Sequence, residues 1–355
     1  MNFARSIIDW YLINKRDLPW RKSKEPYFVW LSEIILQQTK ISQGLPYYLK
    51  FAYKYPNLKS LALASENDIL LLWQGLGYYS RGRNLLKSAK YIVNDLNGNF
   101  PNTYNDLLKL PGVGEYTASA ISSICFNERR AVVDGNVFRV LSRFYGIDHP
   151  INSSSGKKYF LNFAQKLTPK NSCGDYNQGI MDFGSLICRP KLPLCSNCIL
   201  SPKCIAKKNN SIDHFPVKLK RNLTKIIHFN YIVNINYDYS ISLKQIENGI
   251  WKKLFQFPKV ESKIELMEKD LLSNTTFKEL IDVSNGKIKL FNSKPLIHKL
   301  THKTIYAKFW IFLNENPISD SVNFLEINKY PVPKLVQNFL DEFNYKTFLK
   351  TFSYK

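Results

Sequence analysis

An all-α domain followed by a smaller α+β domain is the architecture this sequence predicts, and three observations carry it. To about residue 206, apolar residues recur at helical spacing, as at Leu31, Ile34, Ile35 and Ile41, and again at Val137, Val140, Leu141 and Phe144. A stretch rich in Lys, Asn and Ser then runs from Lys207 to Lys225 with Pro216 inside it, and its low hydrophobicity reads as a linker. Beyond it the period drops to two. Phe229, Tyr231, Val233, Ile235 and Tyr237 alternate with mostly polar neighbours, as do Ile305, Ala307, Phe309 and Ile311, which is the pattern of half-buried strands. A helical pattern returns over Val332 to Leu349, making this half α+β. The expected boundaries are 1–206, 207–224 for the linker, and 225–355.

Composition narrows the partners. The 355 residues carry 50 Lys+Arg against 28 Asp+Glu, a formal charge of +22, and 14% are aromatic. Lysines release counterions from phosphates and aromatic rings wedge or stack between bases, so nucleic acid is the indicated partner. Charge alone fits a non-catalytic binder equally well. No apolar run approaches the roughly 18 residues of a membrane span, and the N-terminus lacks a secretory core, so a soluble cytoplasmic chain with reduced cysteines is expected.

The first half has well-marked helix starts: Ser65 with Asp68, and Thr103 with Asp106, each read as a capping box. Leu110-Pro111-Gly112-Val113-Gly114 places two glycines before a helix of small residues. The turn is either a tight connection or a nest of backbone N–H groups for a phosphate. Asp134, at the start of the helix that follows Ala131-Val132-Val133, suits an N-cap. Glu33 lies in an apolar segment, Trp30 to Leu36, where desolvation could raise its pKa and make it a proton donor. Four of the six cysteines, Cys188, Cys195, Cys198 and Cys204, fall in a C-x6-C-x2-C-x5-C run. In a reduced compartment that spacing means tetrahedral zinc or an iron–sulfur cluster. The single C-x2-C knuckle leans toward the cluster. Cys125 and Cys173 are expected to lie in the core or to be incidental.

In this order, the segments WLSEIILQQT, GLGYYSR, LPGVGEYTA, VVDGNVFRVLSR, NQGIMDFGSLIC and the cysteine loop resemble the helix-hairpin-helix DNA glycosylases of the endonuclease III superfamily. Within it they resemble the adenine DNA glycosylases. The resemblance covers residues 1 to about 206. It implies an all-α helix-hairpin-helix fold with a 4Fe-4S cluster on Cys188, Cys195, Cys198 and Cys204. The implied reaction is hydrolytic removal of adenine mispaired with 8-oxoguanine or guanine in double-stranded DNA, by a monomer in the cytoplasm, on the nucleoid if the source is bacterial. Bifunctional relatives carry a nucleophilic lysine where this chain has Tyr116; a phenol forms no Schiff base, so strand cleavage is not expected. A pyrimidine glycosylase of the same superfamily would not explain Glu33 or the second domain. A catalytically silent DNA-binding protein would share the charge and the motifs.

The resemblance also implies roles. Glu33 protonates adenine N7 and later activates water; Asp134 stabilises the oxocarbenium-like cation; Tyr116 and Asn136 position and polarise the site. Trp20 and Arg21 match residues lining the adenine pocket, and Gln38 and Tyr78 match side chains inserted into the base stack. Leu110, Gly112 and Gly114 belong to the DNA-binding hairpin. Gln178 stands where some relatives have Glu, and Glu115 where many have a basic residue, a departure expected to weaken phosphate affinity. The second domain resembles, more weakly, the Nudix-like C-terminal domain of the same enzymes, through Gly249-Ile250-Trp251, Phe257-Pro258 and the His298-Lys299-Leu300-Thr301-His302 loop. It has no metal-binding Nudix box, so it is expected to read the lesion, through Thr301 and His302, rather than hydrolyse.

Overall fold

The computed structural model describes residues 2–220, 224–281, 286–300, 302–318 and 321–353. The chain divides into two compact units, Met1–Ala64 with Asn84–Arg221, and Ser65–Arg83 with Asn222–Lys355. Among the described residues, twelve α-helices precede the first strand: α1 (Phe3–Asn14), α2 (Pro26–Leu36), α3 (Ile41–Lys54), α4 (Leu58–Ala62), α5 (Glu66–Trp73), α6 (Ser80–Asn94), α7 (Tyr104–Leu107), α8 (Glu115–Phe126), α9 (Gly135–Tyr145), α10 (Ser154–Leu167), α11 (Cys173–Leu186) and α12 (Ile205–Lys208).

The predicted helix starts are real caps. Ser65 Oγ accepts the Asp68 N–H at 3.0 Å, and Thr103 Oγ1 accepts that of Asp106 at 3.2 Å. The acid three residues on receives the cap's hydroxyl proton, at 2.6 Å in both cases, a variation on the reciprocal box. The first unit's core gathers Ile7 of α1, Val140 and Leu141 of α9, Phe160 of α10 and Ile180 of α11, all essentially inaccessible to solvent. Cys173 is buried, as expected. Much of the expected linker instead packs on this unit. Ile151 N–H donates to Val217 O at 3.0 Å, and Arg143 Nε reaches Ile212 O and Phe215 O. Conversely, α5 and the turn after it group with the second unit, where Tyr79 OH donates to Val332 O at 3.1 Å. Composition marked a polar stretch but could not say which surface would satisfy its backbone groups.

The second unit is built on a mixed sheet of seven strands: β1 (Lys225–Ile235), β2 (Ser240–Ser242), β5 (Lys259–Ser262), β6 (Gly286–Leu290), β7 (Leu296–Lys299), β8 (Lys303–Asn314) and β9 (Ser321–Asn323). The short pair β3 (Lys244–Gln245) and β4 (Phe255–Gln256) stands apart. The two sequences read as alternating strands, β1 and β8, run parallel from Lys225↔Lys303 to Ile235↔Leu313. They are buried on both faces rather than one. Ile232, Trp310 and Phe312 pack with Leu271 of α13 (Glu268–Ser273) and Phe277 of α14 (Thr275–Leu280). On the other face Phe309 stacks on Phe339 of α15 (Lys334–Glu342), ring centroids 4.4 Å apart. A central parallel pair covered on both sides loses the polar half of its alternation. The helical pattern at the C-terminus is two helices, α15 and α16 (Tyr345–Ser353), because Asn344 caps the second by accepting the Thr347 N–H at 2.9 Å.

Candidate active site

A cleft of about 1060 Å³ opens in the first unit, lined by residues from several elements. Helix α2 contributes Glu33, Gln37 and the residue after its end, Gln38. The hairpin turn and the start of α8 contribute Gly114, Tyr116 and Thr117. Asp134 and Asn136 come from the start of α9, and Met181 and Ser185 from α11. The 3-10 turn Pro19–Arg21 adds Trp20 and Arg21.

Glu33 is half-buried on a helix whose Leu31, Ser32, Ile34 and Ile35 are all buried. Its carboxyl makes no hydrogen bond or ion pair among the described residues. Burial pushes its pKa up from 4.5 to about 7, helped by the charge of Asp134 and opposed by that of Arg21. A carboxyl in that range can give up and take back a proton near neutrality.

Asp134 is the N-cap of α9. Its Oδ1 accepts the N–H groups of Asn136 and Val137, each at 2.8 Å, and its Oδ2 accepts Asn136 Nδ2 at 2.7 Å. Burial raises its pKa, and these three hydrogen bonds oppose the rise without cancelling it. The polar helix end therefore counters desolvation at Asp134 only in part. Tyr116 OH donates to Met181 Sδ at 3.3 Å, and burial, with the charges of Glu33 and Asp134, holds this phenol well above its ordinary pKa.

The hairpin turn closes through Val113 N–H to Leu110 O at 3.1 Å, with Leu110 buried beneath it. Gly112 has φ 80°, and a Cβ there would lie 2.7 Å from Asn84 Cβ, so glycine is required twice over. Gly114 has ordinary extended backbone and open space where a Cβ would sit. Gln37 Nε2 bonds Thr117 Oγ1 at 3.1 Å and Gly112 O at 3.3 Å, tying the helix of Glu33 to the hairpin.

The remaining site residues divide. Trp20 borders the cleft but is 8% exposed, its ring edge-on to Tyr48 at 5.0 Å, so packing accounts for much of it. Gln38 is exposed on the rim with φ 53°, a left-handed backbone uncommon for glutamine. Gln178 is half-buried on α11 and does not line the cleft; Met181 and Ser185 hold that face. Tyr78 belongs to the second unit, where it too has positive φ (49°), is 52% exposed and lies 5.7 Å from the Arg81 guanidinium. His302 is exposed beside the β7–β8 turn, in which Leu300 N–H donates to Lys303 O at 2.8 Å, and its own carbonyl accepts the Lys225 N–H. Thr301 lies outside the described residues. Trp251 and His298, from two of the motif segments, meet at 5.8 Å.

Two groups escaped the sequence reading. Asp182 of α11, its side chain wholly buried, accepts Arg21 Nη1 at 2.7 Å and Nη2 at 3.0 Å, and Arg16 Nε at 2.9 Å. Burial alone would raise its pKa, but the two guanidinia bring it below the usual carboxylate value. An acid between Met181 and Phe183 carries the same signal that singled out Glu33. The other group is Arg139 and Arg143, four residues apart on α9, both buried and turned toward the cysteine loop. Arg139 donates to Cys188 O at 2.7 Å, and Arg143 Nη1 lies 3.6 Å from Cys188 Sγ. Cys188, Cys195, Cys198 and Cys204 are free thiols lining one small pocket of about 30 Å³.

Residues 31–169 match the model of the HhH-GPD superfamily base excision DNA repair proteins. An adenine DNA glycosylase of Buchnera aphidicola subsp. Schizaphis graminum is 37% identical over 351 residues, spanning 96% of this chain and 98% of that protein. The human adenine DNA glycosylase is 43% identical over 215 residues, 58% of this chain and 39% of its own length. Among solved structures, a thermostable thymine-DNA glycosylase superposes with a TM-score of 0.54 at 31% identity, covering 58% of this chain and 95% of that one. An endonuclease III–DNA complex, at 21% identity and TM-score 0.50, shares the fold. With a near full-length relative at this identity, and with the hairpin and the capping aspartate lining one cleft, the chain belongs to the adenine DNA glycosylase family of base excision repair proteins.

Proposed function

We propose that this chain hydrolyses the N-glycosidic bond of adenine mispaired with 8-oxoguanine or guanine in duplex DNA, without a lyase step. The observation that carries the proposal is the pairing of Glu33 and Asp134 across one cleft, the first held protonatable to about pH 7 by burial, the second tied down by a helix cap. A base inside a duplex reaches neither group, so it must be flipped into the cleft, which is easiest at a mispair. Glu33 then donates its proton to the base and makes it a better leaving group. Asp134, held by Asn136, faces the sugar carbon as positive charge builds there. With Glu33 left as a carboxylate, water is deprotonated and adds at that carbon. Tyr116, bonded to Met181 and kept neutral, borders the reacting centre and offers no amine.

The cysteine pocket suits a 4Fe-4S cluster. Its four thiols line one small pocket, and among the described residues no three Cys, His, Asp or Glu side chains are set to hold a single metal ion. Arg143, beside Cys188 Sγ, supplies a positive charge to balance bound thiolates. The cluster would fix the loop of Lys203 and Lys207 as a phosphate-facing surface; it takes no part in the bond cleavage.

Adenine release from oxoguanine–adenine, guanine–adenine and thymine–adenine duplexes, under single turnover, tests the reading. Release from the first two and not the third is expected, without strand breaks. Release of thymine or an oxidised pyrimidine in place of adenine would overturn it.

A further inference from the structure

Among the described residues Arg21 is the cation that lowers the pKa of Glu33, and its guanidinium is already taken. Both of its terminal nitrogens bond Asp182, at 2.7 and 3.0 Å, and Asp182 is locked from the other side by Arg16. The ring of Tyr11 lies under Arg21 at 5.5 Å, and Arg21 Nε is buried without a hydrogen-bond partner. A guanidinium lining the same cleft as a half-buried, unpaired carboxyl would ordinarily close on it as a bidentate pair. It would then hold the acid ionised, useless as a proton donor. The other groups facing Glu33 cannot prevent this. Asp134 is engaged by its cap, and Tyr116 and Cys125 are neutral groups whose own titration burial pushes upward.

We propose that Asp182 is a positioning residue of the cleft: by holding Arg21 in a closed ion pair braced by Arg16, it keeps a guanidinium in the wall of the base pocket while denying it to Glu33. The arrangement separates two needs that conflict locally. The pocket keeps a hydrogen-bond donor for the flipped base, and the general acid keeps its proton. The inference rests on the assignment of Glu33 as the acid.

The test is the pH profile of single-turnover adenine release by the full chain, for wild type, Asp182→Asn, Arg21→Gln and the double variant. For Asp182→Asn, the fall in rate at high pH is expected to shift at least one unit toward acid. At pH 7 that is about a tenfold loss relative to its own acid plateau. Arg21→Gln alone should keep a midpoint no lower than wild type, and the double variant should match Arg21→Gln, because no guanidinium remains to be released. A loss by Asp182→Asn that is equal at every pH would overturn the proposal, leaving only a scaffolding role. So would a shifted midpoint that persists in the double variant. If Asp182→Asn does not fold, a midpoint for Arg21→Gln below that of wild type still overturns it. The carboxyl titration of Glu33, read by NMR of side-chain-labelled protein with Glu33→Gln to assign the signal, separates the two readings. A shift there with normal excision by Glu33→Gln would sink the acid assignment and keep the ion-pair inference.

Discussion

Arg139 donates from one guanidinium to Asn136 Oδ1 at 2.8 Å and to the backbone oxygen of Cys188 at 2.7 Å. Asn136 in turn donates to Asp134 Oδ2 at 2.7 Å. One buried side chain thus connects the cysteine loop to the carboxylate at the mouth of the cleft. It also satisfies Gly184 O at 2.7 Å and Gly135 O at 3.2 Å.

Replacing Arg139 with Met should be severe, because the buried carbonyls and Asn136 lose their donor in one step. Broken networks of this kind typically cost about 3–5 kcal/mol. Lower melting temperature, reduced iron per chain and slower excision are expected together. Unchanged melting and iron content would show that the link from loop to cleft is dispensable.

Glu33 should make both activity and stability fall as pH rises, while its replacement moves the two in opposite directions. On the proposed mechanism the protonated form of Glu33 is the active one, so excision should fall about tenfold per pH unit above about 7. The folded state keeps a proton to about pH 7 that the unfolded chain releases near 4.5, so stability drains as pH rises through that window. The full difference is on the order of 3 kcal/mol. Glu33→Gln should therefore lose excision by roughly 10²–10⁴-fold yet melt higher than wild type at pH 8 and gain little at pH 5. A variant with no change in melting at pH 8 would mean that Glu33 is not desolvated.

The two hairpin glycines should separate under alanine substitution. Gly112→Ala meets both a left-handed φ and the Asn84 side chain, so a destabilisation of at least about 1–2 kcal/mol is expected. Gly114→Ala has room and ordinary backbone, so melting should hold. If the turn cradles a phosphate, Gly114→Ala should still weaken duplex binding, since the methyl group stands where backbone and phosphate approach. Duplex affinity equal to wild type would leave the turn as a connection only.

Metal analysis of anaerobically prepared protein should give about four irons per chain and broad visible absorbance. Cys198→Ser should lower both. Zinc without iron would overturn the cluster while leaving the glycosylase reading intact.

His302 is exposed beside the β7–β8 turn, so His302→Ala should leave folding intact and reduce the preference for oxoguanine over guanine by up to about tenfold, the worth of one hydrogen bond. An undiminished preference would move lesion reading elsewhere in the second unit.

What the sequence determined by itself was whatever is decided within a few residues. Ser65, Thr103 and Asp134 cap helices because a side-chain oxygen meets an N–H two or three positions on, and Gly112 turns the chain because only a residue without Cβ fits. Cysteine spacing and the apolar setting of Glu33 are equally local. The tertiary structure alone decided what meets across distance. Arg21 and Asp182 stand 161 positions apart, so nothing in either segment announces their pair. The period of α9 placed Arg139 and Arg143 on one side, but only packing turned that side toward the cysteine loop instead of water. The same holds for β1 and β8, whose alternation promised one wet face until α13, α14 and α15 covered both. Local hydrogen bonding is written in adjacent residues; burial, and therefore the pKa of Glu33, is a property of the assembled fold.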